Sequence, residues 1–428
     1  MARKIFNALL LLSLVLPLLP AYSGSNSVMV LTVSSVINPV SAEFIVKSIS
    51  GANNNKMEAV IIELDTPGGL DISMRQIIKA ISASNVPVIV YVSPSGARAA
   101  SAGVFITMAA DIAAMAPGTN IGAAHPVNMG GKMSKTMKEK VTNDAVAYIK
   151  SIAEKRGRNK KWAENAVRKS VSVTDTEALK LNVIDIRADN INDLLRKING
   201  RTVELISGTK KLNTENVTLV REKMGFRLKL LAIITNPNIA YILMMLGFYG
   251  LFFELISPGA IFPGVLGGIC LILAFYSFQT LPVNYAGVLL IILGIIMFIL
   301  EIKIVSYGVL TLGGIISMTI GSIMLFDNAM PFIRLSLATI IPAVILTVLF
   351  FTVAVRLVYK AWRKQPVTGQ EGLIGLDGIA MSDISDSGMV IVHGEYWQAY
   401  CNEPVRKGEI VTVESVDGLK IKVKKKKN

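Results

Sequence analysis

The chain has 428 residues, of which 52% are hydrophobic and only 17% charged, with a formal net charge of +14. Globular domains carry about 25% charged residues, so the balance points to a membrane protein, and no stripe of basic residues interleaved with aromatics supports nucleic acid as a partner. Cys270 lies in an apolar run and Cys401 near the C-terminus, which excludes a disulfide framework for the N-terminal half.

In chain order, Arg3 and Lys4 precede an apolar stretch over 5–19, and Ala21, Ser23 and Gly24 follow it as small residues. Residues 1–23 therefore read as a signal peptide, and what comes next is expected outside the cytoplasm. Continuous apolar segments at 28–33, 59–64, 88–92, 112–116 and 183–186 have the length of buried strands. Between them, Met74, Ile77, Ile78 and Ile81 keep helical spacing, as do Val141, Ala145, Tyr148, Ile149 and Ile152. Strands alternating with helices predict an α/β domain over 26–206 with both sheet faces covered.

Two motifs in that domain carry chemistry. The strand at 59–64 runs into Asp65-Thr66-Pro67-Gly68-Gly69, whose glycines leave their backbone N–H groups open to an oxyanion. About thirty residues later, Gly96-Ala97-Arg98-Ala99-Ala100-Ser101-Ala102-Gly103 sets a serine among small side chains at the start of an apolar helix. A substrate carbonyl can approach Ser101 there, and the helix start adds the Ala102 N–H and a partial positive charge. Gly68 and Gly103 are expected along the substrate cleft. Asp65 and Asp71 are expected to serve turn and N-cap hydrogen bonds and no catalysis.

A nucleophilic serine needs a base, and the chain holds two histidines. His393 falls in the C-terminal module, which this reading puts across the membrane from Ser101. His125 follows Ser101 and precedes Pro126, which makes it one candidate, with lining the substrate cleft as its alternative role. A lysine is the other: it serves as a base when burial draws its pKa from about 10.4 toward 7–8. The stretch 130–140 offers Lys132, Lys135, Lys138 and Lys140, read as a loop ahead of a helix over 141–152. Of these, Lys140 adjoins the apolar helical face.

Residues 207–236 read as a hairpin and linker. The region 237–356 breaks into apolar runs at 238–256, 259–279, 283–301, 304–326 and 335–356, each near the ~20 residues of a spanning helix. About five crossings starting outside finish inside, where Arg356, Lys360, Arg363 and Lys364 fit the positive-inside tendency. Arg221, Lys223, Arg227 and Lys229, just before the first run, oppose that topology. Glu254 and Glu301 sit near helix ends and are expected to be structural. Glycines at 247, 250, 264, 267, 268, 313 and 314 predict close helix contacts. From 366 to 424, short apolar stretches punctuated by glycine predict a small five-stranded barrel, in which Tyr396 and Trp397 serve as a contact surface or as core. Residues 424–428 read as a lysine tail able to touch anionic membrane lipid.

Residues 26–206 resemble the ClpP/crotonase fold, and the Asp-Thr-Pro-Gly-Gly and Ala-Ala-Ser-Ala-Gly segments resemble the long-form NfeD membrane serine peptidases, as does the order of domains. The setting Lys140-Val141-Thr142-Asn143 is similar to the segment that bears the base in that family. The resemblance implies a serine endopeptidase with a Ser101–Lys140 dyad, an oxyanion hole at Gly69 and Ala102, and no metal or cofactor. It further implies an OB-type C-terminal barrel, a stomatin-like partner, a preference for hydrophobic segments of membrane-associated proteins, and a homodimer or larger assembly. Two rivals share the fold or the domain order: a scaffold without catalysis, and a crotonase-like acyl-CoA enzyme, which export of the domain disfavours.

Overall fold

A computed structural model describes residues 26–426 except 128–133, 257–260, 282, 305, 307, 327–334 and 363–369. The expected signal peptide, Lys132, Lys364 and the last two residues of the chain lie outside the described residues. The chain divides into two compact units, one running to residue 292 with 317–343 added, the other comprising 293–316 and the chain from 344 onward.

The N-terminal region is an α/β domain of the ClpP/crotonase kind. In chain order it runs β1 (Ser27–Ser34), α1 (Pro39–Asn54), β2 (Ala59–Asp65), α2 (Asp71–Ser82), β3 (Val88–Val92), β4 (Arg98–Ala100), α3 (Ala102–Ala109), β5 (Ile112–Met115) and β6 (Asn120–Gly122). There follow α4 (Lys135–Lys155), α5 (Lys160–Arg168), β7 (Ser172–Thr174), α6 (Asp175–Lys180), β8 (Ile186–Arg187) and α7 (Ile191–Ile198). The hairpin β9 (Thr202–Leu205) and β10 (Gly208–Lys211) leads to β11 (Thr218–Glu222) and α8 (Phe226–Ile234).

Six of the strands form one sheet in the order β11-β1-β2-β3-β5-β8, every neighbouring pair parallel. Alternate residues of each strand face opposite sides. Leu31, Ile62 and Val90 therefore enter the core beneath α1 to α5, while Val30, Ile61 and Ile89 pack on the side of α7 and the hairpin, with Leu194, Ile198 and Val203. Burial on both faces explains why these strands are continuous apolar runs. A second, three-stranded sheet, β4-β6-β7, holds the serine segment; its strands have three residues each, too short to signal themselves by alternation.

The expected linker is more than a linker. The strand β11 pairs in parallel with β1, Ser27 opposite Thr218 through Leu31 opposite Glu222, so the sheet extends past residue 206.

The apolar region holds α9 (Pro237–Ile256), α10 (Ile261–Thr280), α11 (Tyr285–Lys303), α12 (Val309–Leu325) and α13 (Leu337–Trp362). By length and composition, α9 and α10 are each sufficient to cross a membrane, and apolar stretches of 10–17 residues lie within α11 to α13. Glycine sets the closeness of the first pair: a Cβ added to Gly250 would stand 2.7 Å from the Gly267 Cα. Glu301 proves structural, since its carboxylate accepts the Ser306 hydroxyl at 2.6 Å and the N–H groups of Gly308 and Thr311 at 3.1 and 3.0 Å. It thereby satisfies donors at the start of α12.

The C-terminal module is a closed barrel of β12 (Asp377–Ala380), β13 (Gly388–Val392), β14 (Glu395–Tyr400), β15 (Ile410–Asp417) and β16 (Lys420–Lys425), in the order β12-β13-β14-β16-β15. Its one parallel pair, β14 with β16, gives the OB-type connectivity. Trp397 packs against the barrel core and Tyr396 is exposed. The expected lysine tail begins later than 424, because the period of two puts Ile421 and Val423 inside and the lysines of β16 outside. Lys425 pairs with Glu409 and Lys426 with Asp377.

Candidate active site

Ser101 stands between β4 and α3 and is positioned from three sides. Behind it, Thr66 ties the strand end to β4: its N–H donates to the Arg98 carbonyl at 2.8 Å and its carbonyl accepts the Ala100 N–H at 3.0 Å. The Asp65 carboxylate accepts the Arg98 N–H at 3.0 Å, a bond to β4 instead of the local turn bond expected of it. From β6, the Gly122 carbonyl accepts the Ser101 N–H at 3.2 Å. The serine is left at φ 51°, ψ −112°, a conformation that L-residues with a Cβ seldom take. A sharp strand-to-helix turn of this kind projects the hydroxyl away from its own backbone, the geometry of a nucleophile elbow.

The glycine pair packs against that serine. Gly68, at φ +121°, has no room for a side chain, since a Cβ there would lie 2.6 Å from the Ser101 Cβ and 3.1 Å from its Oγ. A Cβ on Gly69 would lie 2.0 Å from the Ile37 carbonyl oxygen. That contact belongs to a clamp in which Ile37 donates to the Gly68 carbonyl and accepts from the Leu70 N–H, both at 2.8 Å. The Gly68 N–H is committed to the Thr66 hydroxyl at 3.1 Å. Among the described residues no acceptor takes the N–H of Gly69 or of Ala102, the first residue of α3. Two free donors therefore stand on either side of Ser101. Gly103 lies one layer back, packed on the Thr66 methyl group.

In front of Ser101 opens a cleft of about 240 Å³ lined by Gly69, Ser101 and Ala102, with apolar walls that include Met74, Phe105 and Val141. Its polar wall is Arg75, which donates to Asp71 at 2.8 Å and to Asp144 at 2.7 Å and lies 4.3 Å over the Tyr148 ring. Burial opposes the Arg75 charge, but Asp71 and Asp144 outweigh it and raise its pKa above the ordinary value. Burial also pushes the Tyr148 hydroxyl up. Asp71 is the first residue of α2 rather than its cap; Leu70 occupies the cap position and makes no side-chain bond. The i, i+4 pair of Asp71 and Arg75 was readable from sequence, whereas the partner from α4 was not.

The lysine segment departs from expectation. Lys135, Lys138 and Lys140 belong to the helix α4 instead of a preceding loop, because the Ser134 hydroxyl accepts the Met137 N–H at 3.2 Å and starts the helix early. Lys140 is exposed on the second turn and, among the described residues, its side chain makes no hydrogen bond to Ser101 or to any other group. Its neighbour Val141 lines the cleft, as do Asp144 and Ala145. His125 lies between two lining residues, Ala124 and Pro126, but is not itself one: its Nδ1 meets the Val167 carbonyl at 2.9 Å. That bond turns the ring toward α5 and leaves the cleft wall to its neighbours.

Residues 238–356 match the NfeD integral membrane domain, 27–216 the N-terminal domain of NfeD1b, and 370–425 the NfeD-like C-terminal, partner-binding domain. The chain is 38% identical over 432 residues to a membrane-bound protease of Pyrococcus horikoshii, covering 98% of this chain and 97% of that one. The chain belongs to the NfeD family. It is a membrane protein, and it is also 32% identical to the membrane protein NfeD1b of Bacillus subtilis over 318 residues, 74% of this chain and 71% of that one. Among solved structures, it is similar to the 1510-N membrane-bound stomatin-specific protease in complex with a substrate peptide, at 38% identity. That likeness has a TM-score of 0.46 and covers 49% of this chain and 98% of the other. The structure of the 1510-N membrane protease specific for a stomatin homolog from Pyrococcus horikoshii gives 39% identity and a TM-score of 0.44 over 50% of this NfeD chain and 100% of that one.

Proposed function

We propose that this NfeD protein is a membrane-bound serine endopeptidase in which Ser101 is the nucleophile and Lys140 the general base. The observation that carries the reading is the forced backbone of Ser101 between two N–H donors without partners, those of Gly69 and Ala102. The whole-length likeness to a membrane-bound protease supports the reaction class.

The reaction is acyl transfer. Lys140 takes the Ser101 proton, Oγ bonds to the peptide carbonyl carbon, and the carbonyl oxygen gains the charge that the two N–H groups hold. Collapse breaks the C–N bond, and the departing amine takes the proton from Lys140. Water then gives a proton to Lys140 and bonds to the acyl carbon, the C–Oγ bond breaks to release the carboxylic acid, and Lys140 returns the proton to the Ser101 Oγ. A lysine base works in water-free surroundings, and an apolar peptide laid along Met74, Phe105 and Val141 supplies them, which favours hydrophobic segments of membrane-associated proteins as substrates. The match of 370–425 to a partner-binding domain supports a protein partner, for which we take a stomatin-like membrane protein, and we take a homodimer or larger assembly as the working state from the resemblance alone. We place the α/β domain outside the cytoplasm and the barrel inside.

The test is a serine-directed fluorophosphonate on the full chain, with the modified residue mapped, beside peptide cleavage. Labelling at Ser101, loss of turnover in Lys140→Ala and its retention in His125→Ala are expected. Full turnover in Lys140→Ala with loss in His125→Ala would overturn the dyad, and absence of labelling would overturn the peptidase itself.

A further inference from the structure

The four basic residues that precede the first apolar run have no part in the proposed reaction, and the structure separates them into two kinds. Arg221 pairs with Glu63 at 3.0 Å and Arg227 with Glu43 at 2.8 Å, so both charges are spent on the α/β domain. Lys223 and Lys229 are exposed and, among the described residues, form no ion pair.

The helix α8, which begins after Lys223 and carries Lys229, has two unlike faces. Leu228 is buried in the domain core, with Met224, Leu231 and Ala232 packed around it. On the other side Phe226, Leu230 and Ile233 are 84%, 45% and 55% exposed. At about 100° per residue, these three fall within one narrow stripe, and Lys229 flanks it by about 60°. The C-terminal end of α8 is fixed to the apolar hairpin, since the Ile234 carbonyl accepts the Ser277 hydroxyl of α10 at 2.6 Å, and α9 starts at Pro237.

We propose that α8 lies in the plane of the membrane, with Phe226, Leu230 and Ile233 in the interface of the bilayer and Lys223 and Lys229 on anionic headgroups. The inner face of α8 is already covered by the domain. Its end meets the membrane domain matched over 238–356, so the helix stands at headgroup depth. Large apolar side chains flanked by lysines whose long stems can reach outward are the pattern of an interfacial helix. Two unpaired cations beside a membrane surface gain from anionic lipid. The arrangement also accounts for basic residues next to α9 without using them as a topology signal. It fixes the α/β domain against the surface instead of leaving it on a free tether.

The test uses the full chain with Cys270→Ala and Cys401→Ser, reconstituted in vesicles of phosphatidylglycerol and phosphatidylcholine in equal parts. A nitroxide is attached singly at Phe226→Cys, Leu230→Cys or Ile233→Cys, and at Lys161→Cys on α5 as the exposed control. The ratio of oxygen to nickel-chelate accessibility is expected to be several-fold higher at the three α8 positions than at 161. In a Lys223→Gln, Lys229→Gln background it should fall in the mixed vesicles and stay unchanged in pure phosphatidylcholine. Three labels as open to the nickel chelate as the control would overturn the proposal. So would labels closed to both reagents, which would mean a protein covers the stripe, with spin–spin broadening identifying it as a second copy.

Discussion

The backbone of Ser101 allows its proposed catalytic role to be separated from its cost. A residue at φ 51°, ψ −112° stores about 1–3 kcal/mol of local strain. Ser101→Ala removes the hydroxyl and keeps the Cβ, so the strain stays. Ser101→Gly removes both. Glycine reclaims the strain but returns about 0.5–1 kcal/mol through the greater freedom of the unfolded chain, for a net gain over alanine of about 0–2.5 kcal/mol, centred at about 1.3 kcal/mol. For a domain of this size each kcal/mol moves Tm by about 2–4 °C, so at the central value the glycine variant should melt about 3–5 °C above the alanine variant. Both should be inactive in peptide cleavage. Thermal unfolding of the full chain in detergent, followed by near-ultraviolet circular dichroism on the two variants in parallel, reads the difference. A glycine variant that melts with or below the alanine variant would refute the idea that the elbow is held under strain.

Arg158, whose side chain is 1% exposed, donates to the Met108 and Ala110 carbonyls at the end of α3 at 2.6 and 2.9 Å and pairs with Asp185. Burial works against its charge, and Arg158→Met strands the carboxylate and the carbonyls together, so a loss of about 3–5 kcal/mol is expected; a loss under about 1 kcal/mol in denaturant titration would contradict this. The Asp193 carboxyl is held down to about 2 by Lys197, the Asp189 N–H and Arg196. Because its folded value lies below the unfolded value of about 3.9, its contribution is complete above that pH and is lost as pH falls through about 2. Stability measured against pH should therefore show wild type and Asp193→Asn converging across that window, and parallel curves would count against the assignment.

What could be read from sequence followed the strength of local pattern. The central strands announced themselves because burial on both faces leaves few polar residues inside them, Thr32 and Glu63 being the exceptions, and Ser101 stood out as a hydroxyl set among Ala99, Ala100, Ala102 and Gly103. Gly69 showed as a turn residue with an N–H open to an oxyanion, but the clamp on Ile37 that forbids it a side chain is a tertiary contact. The early start of α4 hid behind charge, since Lys135 to Lys140 read as solvated loop until the Ser134 cap is seen. Arg75 reached Asp144 across sixty-nine positions, a distance over which one sequence carries no pairing signal. Of the lysines of β16 only Lys424 and Lys425 were assigned to the tail, because the alternation legible from Lys420 to Val423 ends there in consecutive exposed lysines.

The pairing of β1 with β11 joins the first described strand to one that ends just ahead of α8. During synthesis, the edge of β1 stays open until nearly the whole domain has left the ribosome, and closes only as the first apolar helix follows. A fragment cut at residue 206 would keep that edge bare and stick to its own kind. Any attempt to prepare the α/β domain alone is better ended beyond Glu222.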